Sequence, residues 1–373
     1  AIFDLCQSDV EAGLPTVAAA LADVAAAAIE AGIVVARHEL KSSTEFGVFS
    51  EFEVDNTAFA VIAMGKCGAR ELNYISDVDV IYVANTKSDD LESHRAVEVA
   101  TKLATRMMRA MDGTATEPML WQVDPNLRPE GKSGALVRTL ESHVAYYDRW
   151  AQSWEFQALL KARPLAGDLY LGDAYVDALS PKVWASAMRE NFVESVQKMR
   201  ERVTDYIPAN EIDLQIKLGP GGLRDIEFTV QLLQLVHGRT DESVRQRDTI
   251  SAINALANGG YVSRSDAQQF AKHYKFLRLI EHRIQLSEMR RTHLMPTSES
   301  KRRALARALN LKFHAEDLIQ KWESVKLEVR ALHQSIFYRP LLSAVSKLDN
   351  DSLSLSDAQV QDRLHAIGFS DPK

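Results

Sequence analysis

The pattern of hydrophobic and polar positions changes character near the middle of the chain. Between residues 57 and 168 short apolar runs alternate with helical periods; beyond Gly167 the strand signals stop and long helical periods take over. Ahead of both, residues 16–38 form an Ala-rich helical stretch, and residues 41–56 have no sustained period and read as a connection. The run Phe59-Ala-Val-Ile-Ala-Met64 predicts a strand covered on both faces, ended by the turn Gly65-Lys66-Cys67-Gly68. A second strand, Asp77-Val-Asp-Val-Ile-Tyr-Val83, is rich in β-branched residues and runs into a polar loop at 85–90. A helix follows, in which Val97, Ala100, Ala104, Met107, Met108 and Met111 recur at helical spacing until Gly113. Residues 119–124 are a third strand candidate, closed by Pro125; Lys132-Ser133-Gly134 is a turn, 135–137 a short strand, and 140–162 one long helix carrying Trp150 and Trp154 at i, i+4. In the second half, helical periods cover 191–206, 223–237, 249–257, 266–291 and 318–337, which predicts a helical bundle. The expected fold is therefore α+β: an N-terminal helical segment (1–50), a small mixed sheet with flanking helices (51–168), an all-helical domain (169–345) and a Ser/Asp-rich tail or linker to a following domain (346–373).

Composition narrows the class. With 46% apolar and 25% charged residues over 373 positions, the chain is globular, neither disordered nor collagen-like, and two cysteines, Cys6 and Cys67, are too few for a disulfide framework. A reducing, cytoplasmic setting is the simpler expectation. The balance of 44 Lys+Arg against 51 Asp+Glu, net −7, argues against a nucleic-acid surface, so any polyanion binding must be local. The most apolar stretch, 16–35, is interrupted by Asp23 and Glu30, which argues against a bilayer span and predicts no membrane partner. Asp4, Asp9 and Glu11 replace the positive start of a signal peptide, and the abrupt beginning suggests a piece of a longer chain.

The sharpest chemical feature is Gly65-Lys-Cys-Gly-Ala-Arg-Glu-Leu-Asn-Tyr-Ile-Ser-Asp77-Val-Asp79. Side chains two apart on a strand share a face, so Asp77 and Asp79 stand side by side while Val78 and Val80 face the core. A D-x-D by itself is more often a pair of solvent-facing acids. Here the strand is otherwise apolar, a Gly-rich turn able to approach a phosphate lies twelve residues upstream of Asp77, and a third acid, Asp124, ends the next strand candidate. All-oxygen ligation by a few carboxylates suits Mg²⁺. A glycine turn, a D-x-D and a lone Asp on a neighbouring strand form the pattern of the DNA polymerase β-like nucleotidyltransferases, with three carboxylates around two metals for phosphoryl displacement. Competing motifs fail: there is no G-x-x-x-x-G-K-[ST], no G-x-G-x-x-G and no H-E-x-x-H, and His282 and His293 read as ordinary helix and loop residues.

Four runs then carry a family resemblance: Met64 to Asp79; Leu127-Arg-Pro-Glu-Gly131 with Ser133-Gly-Ala-Leu-Val137; Trp154-Glu-Phe-Gln-Ala-Leu-Leu-Lys-Ala-Arg163; and Gly221-Gly-Leu-Arg-Asp-Ile-Glu-Phe228. In this order, from about residue 57 to 342, the chain resembles the glutamine synthetase adenylyltransferase/adenylyl-removing enzymes, whose long chains carry two nucleotidyltransferase halves. One half attaches AMP to a tyrosine of glutamine synthetase, and the other removes it by phosphorolysis, releasing ADP. The run from Lys217 to Phe228, the Lys161-Ala-Arg163 ending and the tail from Arg363 to Asp371 look like the N-terminal, adenylyl-removing half. The resemblance implies a Mg²⁺-dependent enzyme with Asp77, Asp79 and Asp124 as metal ligands and catalytic residues. Its partners would be adenylylated glutamine synthetase, inorganic phosphate, ADP or ATP and a PII signalling protein.

For substrate and phosphate binding the expected set is Gly65, Lys66, Gly68, Ser76, Arg128, Lys161 and Arg163 around the carboxylates. Arg224, Asp225 and Glu227 are expected at the lip of the site, against the alternative that they form an internal polar network of the bundle. The sequence departs from the family pattern at Pro125-Asn126, where many members carry a basic residue two positions past the aspartate. The rival readings are the same site transferring AMP from ATP to the tyrosine, and a regulatory module with a vestigial site that binds the PII protein; the presence of all three acids counts against the latter.

Overall fold

In the computed structural model, which describes residues 4, 6, 9–42, 49–112, 119–309 and 314–339, the chain divides into two compact units, one of residues 16–183 and one of residues 1–15 with 184–373. The end expected at Gly113 for the helix carrying Val97 to Met111, and the tail at 346–373, lie outside the described residues.

The α/β unit begins in helix α1 (Val10–Ser42), longer than the expected 16–38. Its stripe Ala22, Ala25, Ile29, Ile33, Ala36 and Leu40, spaced by three and four, is buried in one core with the sheet. By length and composition alone α1 could cross a membrane. Its polar groups are instead tied to neighbouring elements: Arg37 donates to the Val54 and Thr57 carbonyls at 2.6 and 3.0 Å, and Glu30 accepts from the Gly167 amide at 2.6 Å. The expected connection at 41–56 contains a short helix, α2 (Glu51–Asp55), started by a Ser50–Glu53 capping box too brief to register as a period.

Strand β1 (Thr57–Ala63), buried along its whole length, pairs antiparallel with β2 (Asp77–Thr86), and the turn between them is a single helical turn, α3 (Gly65–Gly68). Helix α4 (Ser93–Met111) covers one face, packing Val99, Leu103 and Met107 against Val61, Val78, Val80 and Tyr82. Strands β3 (Gln122–Asp124) and β4 (Val137–Thr139) both pair parallel with β2, at its start and its middle. Of the expected strand 119–124, only the last three residues are strand; Met119 and Leu120 are exposed.

The single helix expected over 140–162 is two, α5 (Leu140–Arg149) and α6 (Ser153–Leu159), followed by an unexpected strand β5 (Arg163–Gly167). Glu155 causes the break: its carboxylate accepts from the Gln152 amide at 2.7 Å as the capping residue of a new helix and from the Tyr146 hydroxyl at 3.0 Å. Trp150 falls in the break and is exposed, so it and Trp154 do not share a helix face. Strand β5 lies at the edge of the β3-β2-β1-β5 sheet, where a proline such as Pro164 is tolerated. The unit continues past residue 168 into α7 (Leu169–Ala185), whose period is masked by Gly172 and Pro181.

The helical unit contains α8 (Phe192–Asp205), α9 (Leu223–His237), α10 (Thr249–Asn258), α11 (Arg264–Glu288) and α13 (Ala315–Phe337), each within three residues of the expected ranges. One further helix, α12 (Glu299–Ala308), was not expected. The sequence reading of a small mixed sheet followed by a helical region matches this architecture.

Candidate active site

Asp77 and Asp79 open β2, half-buried on the face opposite Val78 and Val80, which are fully buried. Parallel pairing sets Gln122 beside Asp77 and Asp124 beside Asp79, so the third acid is delivered by register to the same face. One carboxylate oxygen from each of Asp77, Asp79 and Asp124 lies within 4.8 Å of the others, a spacing that could hold a metal ion. The donors are all oxygens, which suits a hard divalent cation such as Mg²⁺.

The glycine turn is pressed against this cluster. A Cβ on Gly65 would stand 2.9 Å from the Asp79 Oδ2, so a glycine leaves the carboxylate its place. Gly68 has no room for a side chain at all, since its Cβ would meet the Lys161 carbonyl at 1.9 Å and the Ala63 carbonyl at 2.7 Å. Arg163 donates to the Cys67 and Gly68 carbonyls, both at 3.1 Å, which fixes the C-terminal end of α3. Lys161 is buried in an ion pair with Glu71 at 2.9 Å. Lys66 is half-buried on α3, and Ser76 donates to the Asp77 Oδ1 at 3.4 Å. Burial, against the opposing pull of the Arg163 charge, pushes the Cys67 thiol up to about 12 and so disfavours its thiolate.

Arg128, expected to contact phosphate, gives three of its N–H groups to backbone carbonyls of its own loop. The sequence reading missed Glu71, the partner of Lys161, and the Asn126 amide, which donates to the Asp124 Oδ1 at 2.8 Å. The latter is an Asx-type turn, and Asp124-Pro125-Asn126 is a signal for one.

Arg224, Asp225 and Glu227 lie in the helical unit. Asp225 is fully buried and accepts from Arg200 at 2.8 Å and from the Gly221 amide at 2.7 Å. Glu227 is nearly as buried and pairs with the partly exposed Arg224 at 2.9 Å. These contacts make Asp225 a member of that unit's internal polar network, the alternative weighed from the sequence.

Two family profiles match: glutamate-ammonia ligase adenylyltransferase over residues 5–177, and GlnD PII-uridylyltransferase over residues 190–337. Among curated proteins the chain is similar to bifunctional glutamine synthetase adenylyltransferase/adenylyl-removing enzymes. The identity is 58% to that of Leifsonia xyli subsp. xyli, over all of this chain and 38% of the relative. It is 51% to that of Streptomyces avermitilis, over 96% and 35%, and 47% to that of Corynebacterium glutamicum, over 96% and 33%. The chain thus spans about a third of the length of these relatives. The acidic cluster is borne on the segment, residues 5–177, that is similar to the glutamate-ammonia ligase adenylyltransferase family.

Proposed function

We propose that the chain is a nucleotidyltransferase that removes AMP from an adenylylated tyrosine of glutamine synthetase by phosphorolysis, releasing ADP. The observation that carries this reading is the convergence of Asp77, Asp79 and Asp124 on one sheet face. These residues would hold Mg²⁺, which when bound neutralises charge on the transferring phosphoryl group. The Asn126 amide orients Asp124, and Gly65 lets Asp79 lie against the turn. Phosphate is anionic at neutral pH and needs no strong base, and a tyrosine of pKa about 10 is a tolerable leaving group. The relatives' names cover both attachment and removal of the adenylyl group; alignment of this chain with their N-terminal part supports removal. The sheet, with its acids on β2 and β3 beside a glycine turn, is read as a DNA polymerase β-like catalytic domain acting in the cytoplasm. The helical unit, matched by a PII-uridylyltransferase profile, is read as the part through which a PII signalling protein regulates it.

The test is incubation of the chain with adenylylated glutamine synthetase, Mg²⁺ and inorganic phosphate. ADP should appear in proportion to phosphate, and modification of glutamine synthetase with ATP should be poor. Efficient AMP transfer from ATP with no ADP from the modified protein would assign the opposite direction.

A further inference from the structure

The loop that follows Asp124 is wound around one guanidinium. Arg128 is largely buried, and its Nη1, Nε and Nη2 donate to the carbonyls of Pro125 at 2.9 Å, Gly134 at 3.2 Å and Lys132 at 3.3 Å. A planar fork can serve three divergent acceptors at once, which a lysine ammonium on a flexible stem does less well. The backbone it gathers is unusual. Glu130 and Gly131 are consecutive left-handed residues, at φ +63° and +57°, and a non-glycine residue holds that conformation only where its surroundings impose it. A Cβ on Gly134 would come within 2.1 Å of the Pro129 carbonyl, so the loop closes tightly on itself. At its start, the Asn126 amide is hydrogen-bonded to the Asp124 Oδ1. The Asp124 charge also opposes the downward pull of burial on the guanidinium, so the two side chains lie within electrostatic reach.

We propose that Arg128 is a positioning residue for Asp124: by holding the Pro125, Lys132 and Gly134 carbonyls it fixes the turn whose Asn126 amide orients the Asp124 carboxylate toward Asp79. This rests on the reading of the three acids as a metal site. Arg128 then acts on cation affinity through the loop and makes no contact with phosphate in the reaction.

The experiment measures Mn²⁺ binding by electron paramagnetic resonance and phosphate-dependent ADP release, for the wild-type chain, Arg128→Lys and Arg128→Met, with melting curves for each. Loss of a group that orients a ligand weakens metal affinity by about 10- to 100-fold. Arg128→Met should therefore bind Mn²⁺ about 10- to 100-fold more weakly, and Arg128→Lys should fall between it and wild type, while the KM for phosphate stays within about twofold in both. Unchanged Mn²⁺ affinity in a folded Arg128→Lys and Arg128→Met overturns the proposal. So does a raised phosphate KM at unchanged Mn²⁺ affinity, which would make Arg128 a phosphate ligand. Loss of cooperative melting in both variants also overturns it, by giving Arg128 a role in the whole unit's stability. Failure of the wild-type chain to bind Mn²⁺ would instead remove the metal-site reading beneath it.

Discussion

Asp225 in the helical unit and Asp79 in the α/β unit are both carboxylates on largely apolar elements, and they are held in opposite ways. Asp225 is fully buried and meets Arg200, the Gly221 amide and, at 3.6 Å, both Arg330 and His333. Its charge is matched by nearby cations and donors, as a buried charge requires. Asp79 is only half-buried, and its nearest like groups are two further carboxylates within 4.8 Å. Like charges gathered so closely repel unless a cation joins them. The comparison teaches that burial of an acid marks structure here, whereas convergence of acids marks the candidate chemistry.

Asp79→Asn should show the largest effect, a fall in turnover of about 10²- to 10³-fold, because charge stabilisation is lost where the reaction develops it. Its melting temperature should hold or rise, since one repelling charge is gone. Near-normal ADP release, or an unfolded variant in the same buffer, would break the contrast from the α/β side.

Arg200→Met tests the other side. It leaves Asp225 as a buried carboxylate without its main cation and should cost about 3 to 5 kcal/mol of stability, read as a lower denaturation midpoint. The double variant Arg200→Met/Asp225→Leu should recover much of that loss, and Mn²⁺ binding should not change in either. A stability loss in the single variant that the double variant does not recover would show that the pair is not the unit of stabilisation.

The smallest effect expected of a single substitution is on a pH dependence shared by both units. Burial pushes His143 in the α/β unit and His333 in the helical unit down to about 4, below the ordinary 6.5. Each is neutral when folded, so below about pH 6.5 the unfolded chain takes up protons that the folded chain refuses. Their stability contribution is complete above about pH 6.5 and is lost as pH falls toward about 4, by roughly 3 kcal/mol for each histidine at most. Denaturation midpoints between pH 4 and 8 span the range in which the two histidines titrate. Replacing His143 by Phe should reduce the slope by up to about 1.4 kcal/mol per pH unit, the contribution of one proton. A slope unchanged by that substitution would remove His143 from the account.

Much of the α/β unit was legible because its signals are local. The apolar run at 59–64 and the alternation at 77–83 gave β1 and β2, and the two-residue period put Asp77 and Asp79 on one face. The two helices over 140–162 were not separable by periodicity, since the interruption depends on Glu155 choosing the Gln152 amide and the Tyr146 hydroxyl as partners. Strand β5 was hidden for a related reason: Arg163-Pro164 has no strand character of its own and becomes one by pairing with β1.

By itself the sequence determined the residue types and the spacings within each element: a glycine turn, two acids two apart on a strand, a third acid at the end of another, and an arginine four residues beyond it. Only the tertiary structure decided which of these meet. The parallel register of β2 and β3 sets Asp124 beside Asp79, far apart along the chain. The same packing turns Arg128 onto three carbonyls, encloses Lys161 with Glu71, and places Asp225 among the cations of the helical unit. Periodicity follows from the geometry of one element and can be read along the chain. Register and partner choice depend on which surfaces bury one another, and that is settled when the whole unit packs.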